Sequence, residues 1–216
     1  MELKRSFSHK NIALAGMVGN ILEWYDFTLY GYLAVIMSQL FFPSENETVS
    51  LLASFGAFAV GFFFRPLGSV LFGYIGDRYG RKKALVLSIF LMAIPTFLIG
   101  LLPTYQQIGI LAPILLTVFR ILQGLSTGGE YTTSVTFVVE HAPKDRRGFF
   151  GSINLLGAVI GIMFGSLMGA VLTSVFDKET LLDWGWRIGF LSGIVLAVVG
   201  MYIRKNTPET PEFLAI

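Results

Sequence analysis

Six stretches of this chain, residues 12–40, 51–75, 83–102, 108–139, 149–176 and 186–203, each hold the ~20 mostly apolar residues that a helix needs to cross a bilayer. Short polar connectors such as "PSENET", "GDRYGRKK", "HAPKDRRG" and "DKETLLD" separate them. The stretches lack the alternating faces of strands, which a membrane barrel would require, so they read as helices. Composition leaves little else: 54% of the 216 residues are hydrophobic, 14% are charged, and the mean hydropathy is +0.68. A soluble chain this short buries only about 60–70% of its surface and could not hide so much apolar area. The 24 glycines suit closely packed membrane helices. With no cysteine there is no disulfide, thiol nucleophile or thiolate metal site, and two histidines are too few for most histidine-based metal clusters. The expectation is an all-α integral membrane protein, a six-helix bundle occupying residues 1–216, without cofactor or metal and without a nucleic-acid partner.

The N-terminus imitates a signal peptide, with Lys4, Arg5 and Lys10 ahead of an apolar run. Glu23 and Asp26 interrupt that run and five further spans follow it, so it reads as an uncleaved first helix. Basic residues set the orientation. The N-terminus, the second and fourth connectors and the C-terminal tail carry twelve Lys and Arg between them, against Lys178 and Arg187 on the opposite side. Both termini are therefore expected in the cytoplasm, and in a bacterium the membrane is the inner one.

Charges inside the spans are the next constraint. Each costs about 2.5–3.5 kcal/mol at a helix centre, and such groups usually face the bundle interior and pair or line a pathway. At a 1.5 Å rise per residue, Glu23 lies about 16 Å into the first helix and Arg120 about 15 Å into the fourth, so the two share a depth. Asp26 follows Glu23 by three residues, and Asn20 and Tyr30 extend the polar stripe. The stripe with Arg120 opposite suggests a cavity for a small polar molecule, while a structural ion pair between helices 1 and 4 is the plainer alternative. Arg65 and Glu130 fall nearer the cytoplasmic ends, where helix pairing or snorkelling competes with a functional role. In the fifth segment Gly157, Gly161, Gly165 and Gly169 recur every four residues, a ridge for close helix approach. Pro66, Pro95 and Pro113 lie within spans and can kink them.

The loop "GYIGDRYGRKKAL", residues 73–85, contains Gly73, Asp77, Arg78, Gly80 and Arg81. Gly80 suits a turn at positive φ, and Asp77 can cap the next helix or pair with Arg81. This loop resembles the G-x-x-x-D-R-x-G-R-[RK] signature of the major facilitator superfamily. The segment "LTVFRILQGLSTGGE", with Arg120, Gln123 and Gly124, resembles its R-x-x-Q-G signature. "TPETPEF" after the sixth span is similar to the P-E-[ST]-P segment of sugar porters. "GNILEWYDFTLYGY", "RPLGSVLFGYIGDRYGRKK" and "GGEYTTSVTFVVEHAPKDRRGFFGS" are similar to the metabolite:proton symporter family. "EYT" at residues 130–132, "IGILAPILL" and "DWGWRIGF" narrow the likeness to its proline/betaine transporter branch.

The resemblance covers the whole chain but only the first six of twelve helices. It implies two three-helix units related by inverted pseudo-symmetry. It also implies symport of small organic solutes with protons, with proline, glycine betaine or dicarboxylates as candidates. Asn20, Glu23, Asp26, Tyr30, Arg120, Gln123 and Glu130 would form the substrate and proton site, and residues 73–81 a cytoplasmic gate. The fifth segment lacks the G-P pair of the antiporter signature, which favours symport. Half-length leaves a second expectation: a half-transporter that works with a separate six-helix half or as a homodimer. A membrane-embedded enzyme is the third. It is disfavoured because Ser126 and Thr127 have no histidine near in sequence, and His9 and His141 lie in the tail and a loop.

Overall fold

The computed structural model describes residues 9–215, with side chains from Asn11 onward. Lys4 and Arg5, used above for the orientation, lie outside the described residues. The chain runs through α1 (His9–Tyr32), α2 (Ala34–Phe41), α3 (Glu47–Tyr79), α4 (Arg81–Leu101) and α5 (Tyr105–Ile108). It continues through α6 (Leu111–His141), α7 (Arg147–Val175), α8 (Lys178–Thr180), α9 (Trp186–Asn206) and α10 (Pro211–Leu214). There is no strand among the described residues.

Local chemistry sets most of the boundaries. The first predicted segment breaks at Leu33, whose φ of −92° and ψ of 9° separate α1 from α2. Asn46 caps α3 by accepting from the Thr48 amide at 2.9 Å. α3 passes through Pro66 and α4 through Pro95 without interruption. Residue 108, where the fourth span was expected to begin, instead ends the short α5, closed by a Thr104–Gln107 capping box. Gly109, at φ 60°, then turns the chain into α6. Asp177 caps α8, and the Thr180 amide at 2.7 Å holds its carboxyl below the usual carboxylate range. A π-helical turn at Leu181–Gly185 leads into α9.

Five helical stretches, containing α3, α4, α6, α7 and α9, are long and apolar enough to cross a membrane. α1 falls short of that measure because Asn11, Asn20, Glu23 and Asp26 dilute it, yet its 24 residues run through the middle of the bundle. α7 lies along α1 and α3 along α6, while α4 packs against α6, α9 against α1, and α4 and α9 on each other. Exchanging α1, α3 and α4 for α6, α7 and α9 reproduces this set of neighbours, which is the inverted three-plus-three arrangement.

Glycine makes both long seams. A Cβ at Gly157, Gly161 or Gly165 would come within 2.5–2.8 Å of the carbonyl oxygens of Met17, Ile21 and Tyr25 on α1. Across the other seam, a Cβ at Gly61 would lie 2.7 Å from the Arg120 carbonyl, and one at Gly68 or Gly128 would overlap the backbone of Leu125 or Arg65. Large apolar side chains such as Phe63, Val70, Leu167, Val195 and Tyr202 point outward. Such a continuous apolar exterior belongs against lipid or another apolar partner.

Candidate functional site

Three ion pairs, two of them fully buried and one half-buried, tie the helices together. Asp26 of α1 pairs with Arg120 of α6, and Glu23 of α1 accepts from Arg65 of α3 at 3.4 Å. Glu130 of α6 pairs with Arg204 of α9. The shared depth of α1 and α6 charges pointed to these two helices, and of the two acids expected near Arg120 it is Asp26 that pairs with it. Asp26 is one turn on from Glu23, and it is the residue that faces α6.

Asp26 is fully buried and held on several sides. Gln123 Nε2 donates to it at 3.1 Å and Thr96 Oγ1 at 3.2 Å, while Gln123 also donates to Thr96 at 2.8 Å. The Arg120 side chain is 1% exposed. Its guanidinium carbon lies 4.0 Å from the Tyr30 ring centroid and 5.8 Å from that of Phe58, which stacks on Tyr30. The Tyr30 hydroxyl donates to the Ser54 carbonyl oxygen at 3.1 Å, fixing the ring over the cation.

Arg65 and Glu130 do not snorkel. Arg65 turns inward to Glu23, its guanidinium carbon 4.0 Å from the Phe62 ring centroid and 4.9 Å from that of Phe27. Glu130 accepts from Ser88 as well as Arg204, and Arg204 also donates to the carbonyl oxygens of Ala15 and Leu85. Arg204 had been counted as a tail cation, yet its side chain is 1% exposed.

The polar stripe of α1 divides. Asn20 sits about 120° round the helix from Asp26 and donates instead to Ser134 of α6 at 3.4 Å, a hydroxyl shared with Asn154 of α7. Glu23, Thr127, Ser88 and Glu130 border a crevice narrower than a water molecule. The groups predicted to line an open cavity are thus mostly bonded to one another in this conformation. Burying so many charges is costly, and pairing with hydrogen-bonded support is what makes it tolerable. Among the described residues, no three His, Cys, Asp or Glu cluster as a metal site.

The loop after α3 is tied to both neighbouring ends. Arg81 pairs with Asp77 and with Glu140 at 3.4 Å, and Arg78 donates to the Tyr74 hydroxyl at 2.9 Å. Gly80 adopts φ 112°, and Glu209 of the "TPETPEF" segment accepts from the Lys82 amide at 3.1 Å. Gly73 touches nothing at its Cβ position. Glu212 pairs with Arg147 at 2.7 Å, closing the same end.

Ser88, Thr96 and the aromatic group of Phe27, Phe58 and Phe62 join the site without having been expected there, and Arg204 joins it as a buried partner rather than a tail cation. The aromatic group carried a signal: Phe58, Phe62 and Arg65 fall at i, i+4 and i+7, one face of a helix.

Known proteins resemble this arrangement closely. A family model described as "Sugar (and other) transporter" matches residues 12–216. The proline/betaine transporter of Escherichia coli (strain K12) is 43% identical over 199 residues, covering 92% of this chain and 40% of that protein. The glycine betaine/proline/ectoine/pipecolic acid transporter OusA of Dickeya dadantii (strain 3937) matches at 43% identity, with the same 92% and 40% coverage. The chain spans less than half the length of these relatives. In fold it is similar to the proton:xylose symporter XylE, with a TM-score of 0.86 at 20% identity over 96% of this chain and 46% of that one. An auto-inhibited POT family peptide transporter gives a TM-score of 0.68 at 18% identity, over 94% of this chain and 38% of that one. By sequence and by fold, this chain is a multi-pass membrane protein of the sugar (and other) transporter family, within the major facilitator superfamily.

Proposed function

We propose that this chain is the bundle of a secondary transporter that carries small zwitterionic solutes, such as proline or glycine betaine, together with protons. It lies in a bacterial inner membrane with both termini in the cytoplasm, and no covalent chemistry is assigned to it. The observation that carries the reading is the sealed Asp26–Arg120 pair with its Gln123 and Thr96 donors. An acid held this way in a dry interior can exchange a proton only when its partners move, which is what coupling to a transport cycle requires. The family membership and the solutes for which the relatives are named support the solute class. The loop of Asp77, Arg78 and Arg81 serves as the cytoplasmic gate.

The chain spans about 40% of its relatives' length, which favours a second reading alongside the first. Here the outward apolar faces of α3 and α7 meet a second six-helix half, or a second copy of this chain, and transport needs both.

Reconstituted vesicles test both readings. Uptake of radiolabelled glycine betaine should rise with an inward proton gradient and vanish in Asp26→Asn and in Arg120→Gln. Full pH-dependent uptake in both variants would overturn the coupling. Uptake that appears only when a second six-helix half is co-expressed would establish the second reading, and uptake by a monomer alone would exclude it.

A further inference from the structure

Arg120 and Arg65, both paired with acids of α1, face very different surroundings. Arg120 is closed over by Tyr30 and Phe58 and held by Asp26, whereas the Arg65 side chain is 26% exposed. Arg65 makes a single long contact with Glu23, 3.4 Å, rather than a two-pronged pair. Among the described residues, Arg65 Nε has no hydrogen-bond partner and neither does Glu23 Oε2, although both atoms are buried. One ion pair therefore holds both a free donor on its cation and a free acceptor on its anion. Aromatic rings border them. Phe62 is 40% exposed and lies 5.5 Å from Phe27, with Phe58 5.2 Å from Phe62 and Trp24 6.2 Å from Phe27.

We infer that Arg65 swings off the faces of Phe62 and Phe27, from whose centroids its guanidinium carbon now lies 4.0 and 4.9 Å, to receive the carboxylate of the transported zwitterion, that the vacated faces hold the solute's ammonium group, and that Glu23, released from Arg65, takes the proton. The inference rests on the transport reading above: it makes Arg65 the solute contact and Glu23 the group that takes the proton on solute binding, with Asp26 the acid that the proton reaches when its own partners move.

The physical case is one of exchange. A solute carboxylate can take two guanidinium N–H groups in a fork, which is stronger than the single long bond it displaces. Asp26 could be displaced from Arg120 only by also breaking its bonds to Gln123 and Thr96. Aromatic faces attract quaternary and secondary ammonium groups, and so give the solute's cationic end a place that does not need a second carboxylate.

Charge then accounts for the proton. Arg65 and Glu23 together are neutral, and a neutral zwitterion leaves that sum unchanged. Once Arg65 has turned to the solute, Glu23 is left as a carboxylate without its cation. A proton taken up from bulk water by Glu23 Oε2 then neutralises that carboxylate and leaves the loaded site with a net charge of +1, one proton for one solute. The charged groups around Glu23 are Arg65 on α3, Asp26 on its own helix, and Arg120 and Glu130 on α6. α4 presents only the hydroxyl of Ser88, and Arg204 of α9 stands behind Glu130.

The test is ligand binding to the purified full chain in lipid nanodiscs, with three probes of matched shape. Glycine betaine carries both charges, 3,3-dimethylbutyrate replaces its trimethylammonium with an uncharged tert-butyl group, and choline lacks the carboxylate. Arg65→Gln should weaken betaine and dimethylbutyrate alike by about tenfold or more, and Arg65→Lys should keep part of that affinity. Phe62→Ala should weaken betaine by about threefold to thirtyfold yet leave dimethylbutyrate within about twofold, and Phe62→Trp should restore betaine. Glu23→Gln should bind betaine with no pH dependence across about pH 5–8. Betaine binding that survives Arg65→Gln, or a Phe62→Ala loss shared equally by both carboxylates, would overturn this inference and leave the transport reading intact. A wild-type chain that binds none of the three probes would overturn both.

Discussion

Arg204 at the end of α9 and Glu130 of α6 form a buried ion pair pressed against α1 at Gly19, where a Cβ would overlap both the carboxylate and the guanidinium. The pair joins three helices that are distant in sequence, since Arg204 also reaches the Ala15 carbonyl oxygen at 2.9 Å. Removing one partner of such a pair strands the other charge in a dry interior, a cost of about 3–5 kcal/mol. Arg204→Ala is therefore expected to lower stability by about that amount, and Glu130→Gln by less, because the amide still accepts from Ser88. Unfolding in mixed detergent micelles measures both. An Arg204→Ala protein as stable as wild type would show that the pair is not what holds this end together.

This pair also marks where the sequence stops being informative. The apolar segments anticipate the long helices because the bilayer constrains their length so tightly. Depth along a helix is equally legible, which is why helices 1 and 4 were matched. Rotation about the helix axis is not. Glu23 and Asp26 differ by about 4.5 Å in depth, and only their facing decides that Asp26 meets Arg120 while Glu23 meets Arg65. Arg204 is invisible for a related reason: at the edge of a span, a basic residue that snorkels and one that turns inward have the same local sequence. The Gly157–Gly169 ridge was readable as a seam, but that α1 fills it comes only from packing.

The glycine seam predicts a position-dependent response to alanine. At Gly165 a Cβ would stand 2.7 Å from the Tyr25 carbonyl oxygen, 2.8 Å from Thr28 Cβ and 3.2 Å from the Leu29 amide nitrogen. Backbone on two sides cannot yield, so Gly165→Ala should push α7 off α1 and cost about 1–3 kcal/mol. Gly56 on α3 has nothing within 4 Å of its Cβ position, so Gly56→Ala should be neutral or stabilise by up to about 1 kcal/mol. Detergent melting of the two variants side by side checks the contrast, and equal losses would argue against a close-packed α1–α7 seam.

The turn between α3 and α4 should be equally selective. Gly80 combines φ 112° and ψ 142°, a conformation close to glycine-only, with a Cβ position occupied by the Glu209 carboxylate. Gly80→Ala is expected to cost about 1–3 kcal/mol and to displace Glu209 from the Lys82 amide. Faster hydrogen exchange of the first amides of α4 would register that displacement. Gly109, at φ 60° with open space around it, serves as the comparison. Gly109→Asn should leave exchange in α4 unchanged.

The unequal enclosure of the arginines predicts their chemical reactivity. Phenylglyoxal needs access to the guanidinium, so peptide mapping after brief treatment should find Arg65 modified while Arg120 and Arg204 remain intact. For Arg120 the cover is the Tyr30 ring, 4.0 Å from the guanidinium carbon, which faces a cation whose Nε and Nη2 have no hydrogen-bond partner among the described residues. Tyr30→Phe keeps the ring and loses only the bond to Ser54, so Arg120 should stay protected at a stability cost of about 1 kcal/mol. Tyr30→Leu removes the aromatic face, worth up to about 2 kcal/mol for a desolvated cation, and should expose Arg120 to the reagent. If Arg120 reacts as readily as Arg65 in the wild-type protein, the sealed pair on which the proposed proton coupling rests does not exist in the membrane.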